Sequence, residues 1–139
     1  MARPVLPDTD VLVDFLRGHP KAVALVQTHS ARLILSSLVV AELYAGVKGD
    51  RELHTLDSLV SLFRVVPVSC DLARAGGLYK NEYARSHGTG LADAIVAATV
   101  EAENADLKTL NTKHYPMFRG LQPAYTKTAE DRPGVSGDA

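Results

Sequence analysis

Apolar positions along the chain follow two rhythms. Short runs that are apolar at successive positions, Val5-Leu6, Leu33-Ile34-Leu35 and Val65-Val66 with Val68, have the length of strands buried on both faces, and a further short strand is expected near Leu107 to Leu110. Pro67 puts the third of them at a sheet edge or a strand end. The segments between them repeat at helical spacing. Leu12, Phe15 and Leu16 share one face of a helix that Gly18 closes, and Pro20 opens a second with Val23, Leu25 and Val26. Ser36 or Ser37 is placed to cap a third helix, Leu38 to Val47, which Gly46 and Gly49 end. Leu53, Leu56, Leu59, Val60 and Phe63 form one stripe of a fourth, residues 51–63. A fifth covers 71–86 in spite of Gly76-Gly77, where each glycine costs up to about 1 kcal/mol against Ala. Thr89 is placed to cap the last, residues 90–103, rich in Ala, Ile and Val.

Strands separated by helices predict an α/β domain with a largely parallel sheet. Ligands of such sheets gather outside the carboxyl ends of the strands, so acidic residues directly after a strand are the first candidates for chemistry. The domain is expected to occupy residues 1–125. The polar remainder, 126–139, with Pro133, Gly134 and Gly137, reads as a flexible tail. No stretch approaches the roughly 18–20 apolar residues of a membrane span, and the N-terminus lacks the pattern of a signal peptide, so a cytoplasmic location without membrane contact is expected. Cys70 is the single cysteine, which excludes disulfide frameworks and cysteine-rich zinc sites. Fifteen Lys and Arg against sixteen Asp and Glu, a net charge of −1, exclude a uniformly basic nucleic-acid binder and leave only a local patch to meet a polyanion.

Several carboxylates stand in apolar surroundings. Glu42 has Leu38, Val39, Ala45 and Gly46 as its helical neighbours, so it is expected to rise from the core-facing side, beyond the first turn where the helix dipole helps. Burying an unpaired carboxylate there costs several kcal/mol. Asp93 interrupts Leu91-Ala92-Asp93-Ala94-Ile95-Val96-Ala97-Ala98, the most apolar helix in the chain. Asp8 and Asp10 both follow the first strand, where capping the next helix needs only one of them. If Asp8, Glu42 and Asp93 converge, two carboxylates about 4 Å apart at an effective dielectric of about 20 repel by about 4 kcal/mol. A cation among the oxygens relieves that repulsion, and oxygen-only ligands select a hard ion, Mg²⁺ or Mn²⁺.

Three blocks carry a family resemblance: Asp8-Thr9-Asp10-Val11-Leu12-Val13-Asp14-Phe15-Leu16-Arg17-Gly18, Val40-Ala41-Glu42-Leu43-Tyr44-Ala45-Gly46, and His87-Gly88-Thr89-Gly90-Leu91-Ala92-Asp93-Ala94-Ile95-Val96-Ala97-Ala98. In that order, followed by Thr109-Leu110-Asn111, they resemble the PIN-domain ribonucleases, and specifically the toxin member of VapBC toxin–antitoxin pairs. The resemblance runs from Val5 to about Tyr125. It implies a three-layer α/β/α domain, metal-dependent endoribonuclease activity on an RNA substrate, a small cognate antitoxin and a homodimer. The family's three metal-site acids fall on Asp8, Glu42 and Asp93. A fourth acidic position falls on Asn111, whose neutral carbonyl suits the placing of water better than the binding of a second ion. Asp10 lies beside the site in this reading, and Asp14 faces solvent.

Other chemistries use these residues less completely. Asp8-Thr9-Asp10-Val11-Leu12 also resembles the nucleophile motif of haloacid-dehalogenase-type phosphatases, but that reading leaves Glu42 idle and finds only Gly49-Asp50 for its late acidic motif. A non-enzymatic receiver-like module would use the paired Asp, Asp71 and Lys113, and would leave Glu42 and Asp93 unused. A PIN domain that binds RNA or a partner without cutting is opposed by the intact acids. No Gly-x-Ser-x-Gly elbow occurs, Cys70 has no paired His, and Gly88-Thr89-Gly90 lacks the continuation of a phosphate loop. His19, His29, His54, His87 and His114 have no metal-ligand spacing and are expected at the surface or at caps, with His114 the one near Asn111. The Leu53-Leu56-Val60-Phe63 stripe is expected to pack the core, part of it being suited to an antitoxin helix. Arg17, Lys48 and Lys80 are candidates to meet RNA phosphates.

Overall fold

A computed structural model describes residues 2–128. Its strands are β1 (Val5–Pro7), β2 (Ile34–Ser36), β3 (Arg64–Val66) and β4 (Asp106–Lys108). Its helices are α1 (Thr9–Leu16), α2 (Pro20–His29), α3 (Ser37–Ala45), α4 (Gly49–Leu62), α5 (Cys70–His87) and α6 (Leu91–Ala102), with single 3-10 turns at Ser30–Arg32 and Thr112–His114. All pairing is parallel: β1 with β4, β2 with β3, and a bridge from Val5 to Leu33 that joins the two pairs. The resulting order is β3-β2-β1-β4. Each helical connection carries the chain back so that the next strand starts from the same end, which is what parallel pairing requires.

Burial follows the expected pattern. β1 and β2 are buried at every position, and Leu6, Leu12, Leu35, Val39, Leu56 and Val96 form the centre of the core. β3 lies at the sheet edge, as Pro67 suggested, with Arg64 exposed. α5 and α6 pack closely because Gly76 has no side chain: a Cβ there would lie 2.7 Å from Ile95 Cγ1 and 2.9 Å from Ile95 Cα. Nothing packs against Gly77. Gly88 ends α5 in the left-handed conformation (φ +65°), where its N–H reaches Ala84 O.

Two expectations about helix starts change. Gly90, not Thr89, is the N-cap of α6; Thr89 is buried and its hydroxyl donates to His114 O across the fold. α4 begins at Gly49, two residues before the expected start at 51 and at the glycine expected to end the third helix. At the C-terminal end, Lys127 Nζ reaches Asp14 and Thr126 O accepts from Lys21, while residues 129–139 of the tail lie outside the described residues. No helix among the described residues is long and apolar enough to cross a membrane.

Candidate active site at the carboxyl ends of the strands

The strand order reverses between β1 and β4, where successive connections leave in opposite directions and open a crevice at the carboxyl ends. Asp8 follows β1 directly and caps α1, its Oδ1 accepting from Thr9 N at 2.8 Å. Its Oδ2 accepts from Tyr115 Oη at 2.7 Å and Thr109 Oγ1 at 2.9 Å. Asp10, in the first turn of α1, accepts from Val11 N through Oδ1 and from Leu110 N at 3.0 Å through Oδ2. Thr109 and Leu110 follow β4, so the reversal of strand order is what joins residues a hundred positions apart.

The other predicted residues belong to the same array. Tyr115 Oη also lies 3.4 Å from Asp93 Oδ1, which places one hydroxyl between two carboxylates. Asp93 Oδ2 is 3.2 Å from His114 Nδ1, and the Asn111 amide nitrogen is 2.7 Å from that same ring nitrogen. A single imidazole nitrogen cannot donate to Asp93 and accept from Asn111 at once, so the protonation of His114 decides which of the two it holds. Glu42 Oε1 accepts from Thr9 Oγ1 at 2.7 Å, which ties α3 to the start of α1. The hydrogen bonds thus run from Glu42 and Thr9 through Asp8, Tyr115 and Asp93 towards His114, whose Nδ1 holds either Asp93 or Asn111.

Two placements differ from expectation. Glu42 does not face the core: Val39 and Leu43 fill that side of α3, and Glu42, with Ala41, Tyr44 and Ala45, is exposed. The run is apolar on its solvent side as well, so spacing alone could not identify the buried face. Asp14 does not face solvent. It is 5% exposed and accepts from Tyr125 Oη at 2.6 Å and from Lys127 Nζ at 2.8 and 2.9 Å. Tyr115 is the functional-site residue that sequence reasoning misses. A lone tyrosine in an irregular stretch carries no periodic signal, although a fully buried one demands a partner for its hydroxyl.

Burial dominates the electrostatics. It pushes the proton affinity of Asp8 up, against the bonds from Tyr115, Thr9 and Thr109, and the charge of Asp93 adds to the rise. Burial and then the Asp8 carboxylate push Asp10 up to about 6. Tyr115 is pushed well above the usual phenol range by burial and by the carboxylate it bonds. Among the described residues no Lys or Arg bonds Asp8, Asp10 or Asp93. The donors are oxygens, several of them anionic and crowded, which is the chemistry a hard divalent cation takes. Asp8 Oδ1, with one hydrogen bond, keeps a lone pair to offer. No three Asp, Glu, His or Cys side chains among the described residues form a coordination group as they stand. The Tyr115 hydroxyl is interposed between Asp8 and Asp93, and Glu42 is turned onto Thr9.

Comparison with known proteins decides the family: residues 5–117 match the PIN domain. The chain belongs to the PIN domain family. This PIN domain is 40% identical over 124 residues to Ribonuclease VapC19 of Mycobacterium tuberculosis, a match spanning 86% of this chain and 98% of the relative. It is 37% identical over 126 residues to Ribonuclease VapC10 of the same organism, spanning 87% and 92%. Among solved structures, a toxin–antitoxin complex from Klebsiella pneumoniae superposes with a TM-score of 0.72 at 26% identity, over 87% of this chain and 98% of that one. The fold is therefore the PIN fold, a parallel sheet between helices in an α/β/α arrangement. The phosphatase and receiver readings fall with this assignment.

Proposed function

We propose that this PIN domain is a metal-dependent endoribonuclease and the toxin of a toxin–antitoxin pair. The observation that carries the reading is the crowding of Asp8, Asp10 and Asp93 at the β1–β4 crevice with no Lys or Arg among the described residues bonded to them, in a chain similar to two named ribonucleases. Asp8, Glu42 and Asp93 would hold Mg²⁺ or Mn²⁺. Such an ion, when bound, neutralises charge on the scissile phosphate and makes water a better nucleophile. The chain's own residues do the rest. Thr9, Thr109 and Tyr115 fix the rotamer of Asp8, and the Asn111 amide, beside His114, can orient a water next to the phosphate. Attack by that water on phosphorus breaks one P–O bond of the RNA backbone.

The partners follow from the same likeness. A small cognate antitoxin is proposed because the Klebsiella pneumoniae structure is a toxin–antitoxin complex, and a homodimer is proposed with it. Exposed Tyr44, Leu53 and Leu62 supply apolar surface for such contacts. The deciding experiment incubates the purified chain with an unstructured RNA panel in Mg²⁺, Mn²⁺ or EDTA. Cleavage is expected with either metal, none in EDTA, and a loss of at least about a hundredfold in Asp93→Asn. Equal cleavage in EDTA, or an active Asp93→Asn protein, overturns the reading.

A further inference from the structure

Leu72, Gly76, Tyr79, Tyr83 and His87 recur every three or four residues and share one face of α5. Burial falls steadily along that face. Leu72 and Gly76 are buried, Tyr79 and Tyr83 are half-buried, and His87 is exposed. The cause is a mismatch in helix length. Gly76 sits on Ile95, and α5 runs eleven residues further to His87, whereas α6 begins only four residues before Ile95. At 1.5 Å per residue the end of α5 overshoots the start of α6 by about 10 Å, and the three-residue connection 88–90 is long enough to return. The face that packs on α6 lower down is therefore uncovered above it, at the end of α6 that carries Asp93.

That overhang is built of rings. Tyr79 and Tyr83 lie 6.2 Å apart between centroids, and Tyr83 meets His87 edge-on at 5.9 Å. The Tyr79 hydroxyl is anchored on Glu101 of α6, and Thr89 of the connection donates to His114 O, which fixes the base of the overhang to the catalytic crevice. Helical spacing puts Lys80 at the border of the ring face, with Glu82 on its other side and Glu101 at the Tyr79 hydroxyl. Half-exposed aromatic faces beside a cationic side chain are the chemistry that takes unpaired nucleobases, because every base has a π-face and its phosphate a charge.

We infer that the α5 overhang, with Tyr83 and His87 as its exposed rings, is a stacking platform for unpaired RNA bases next to the Asp8–Asp93 crevice. The inference rests on the ribonuclease reading and gives it a substrate preference. Single-stranded segments enter, and the platform reads the presence of a base, not its identity.

The test is an anisotropy titration of a fluorescein-labelled, unstructured 12-nucleotide polypyrimidine RNA in EDTA, where metal-dependent cleavage stops. Tyr83→Leu keeps apolar bulk and loses the ring, and it should weaken binding about 5- to 100-fold, the effect of one stacked base. Tyr83→Phe should bind like the parent, and His87→Ala should fall between the two. An abasic ribose-phosphate oligomer of the same length should bind all four proteins equally. Equal binding of the RNA by Tyr83→Leu and the parent overturns the platform and leaves the nuclease reading intact. So does a loss that accompanies a change in the protein's mass in solution, since the rings would then belong to an interface between copies. No RNA binding by the parent overturns both.

Discussion

Asp8 and Asp14 lie on the same helical segment and in nearly the same setting, with opposite provisions for their charge. Each is buried and accepts from a tyrosine of the C-terminal segment, Tyr115 at 2.7 Å and Tyr125 at 2.6 Å. Asp14 also has Lys127 Nζ at 2.8 Å, and Tyr125 is braced by the His19 ring at 5.4 Å. Among the described residues Asp8 has Asp10 and Asp93 beside it and no bonded cation. One carboxylate is neutralised by the chain and ties the C-terminal segment to α1. The other joins like charges and is held in place by three neutral donors. A protein that can neutralise a buried aspartate, and does so six residues away, carries an unneutralised group at Asp8 for a reason other than folding.

The largest test of this contrast is in the sign of stability changes. Lys127→Met leaves Asp14 buried without its cation and should cost about 1–3 kcal/mol, less than the roughly 3–5 kcal/mol of a fully buried broken pair because Lys127 is partly exposed. Melting in EDTA should show a Tm lower by about 3–8 °C. Asp93→Asn removes a like charge from the other group and should leave Tm unchanged or raised. A Tm loss in Asp93→Asn equal to that in Lys127→Met would make the two groups the same kind of structure.

Acid should distinguish the site more gently. A carboxyl that holds its proton more tightly in the folded chain than in the unfolded one stabilises the fold at low pH, and that contribution disappears as pH rises through its folded value. For Asp10, near 6 when folded against 3.8 unfolded, lowering the pH from 7 to 5 should add about 1.3 kcal/mol in the absence of divalent ions. Asp8 contributes in the same direction. Millimolar Mn²⁺ should raise Tm at pH 7 and do so less at pH 5, because protons and the ion compete for the same oxygens. A Tm in EDTA that falls from pH 7 to 5, or an Mn²⁺ shift equal at both, would show that these carboxylates are not crowded in solution.

The sequence makes the fold legible where burial is one-sided or complete. β1 and β2 are readable because every position has one environment; in the α4 stripe Leu56 and Leu59 are buried and Val60 and Phe63 partly so, but Leu53 is exposed; and Pro67 marks the edge strand because a missing N–H has a definite consequence. Asp8 and Asp93 stand out because one follows a strand and the other interrupts an apolar helix, whereas Asn111 is marked only by the family resemblance. Spacing points to Glu42 through a buried face it does not occupy: α3 is apolar on both sides, and the carboxylate is exposed and held by Thr9. Nothing near Asp14 in sequence reveals its burial, because its partners, Tyr125 and Lys127, are more than a hundred residues away. Local patterns report on neighbours along a helix or strand, whereas the pairing of a buried charge is set by chain reversal and by segments with no periodicity.

Tyr115 gives the finest test, because its hydroxyl touches both carboxylates. Tyr115→Phe keeps the ring that packs with Phe118 and removes only the donor to Asp8 Oδ2. Thr109 and Thr9 still serve that carboxylate, so in EDTA the loss should be about 1 kcal/mol, less than that of a buried group left with no partner. The repulsion between Asp8 and Asp93 rises when the shared hydroxyl is gone, so Mn²⁺ should restore most of the lost Tm and give a larger shift than in the parent chain. If Tyr115 instead serves packing alone, the phenylalanine protein should melt with the parent in EDTA and respond to Mn²⁺ equally. Paired melting curves of the two proteins, with and without the ion, separate a hydroxyl that holds two charges apart from one that only fills space.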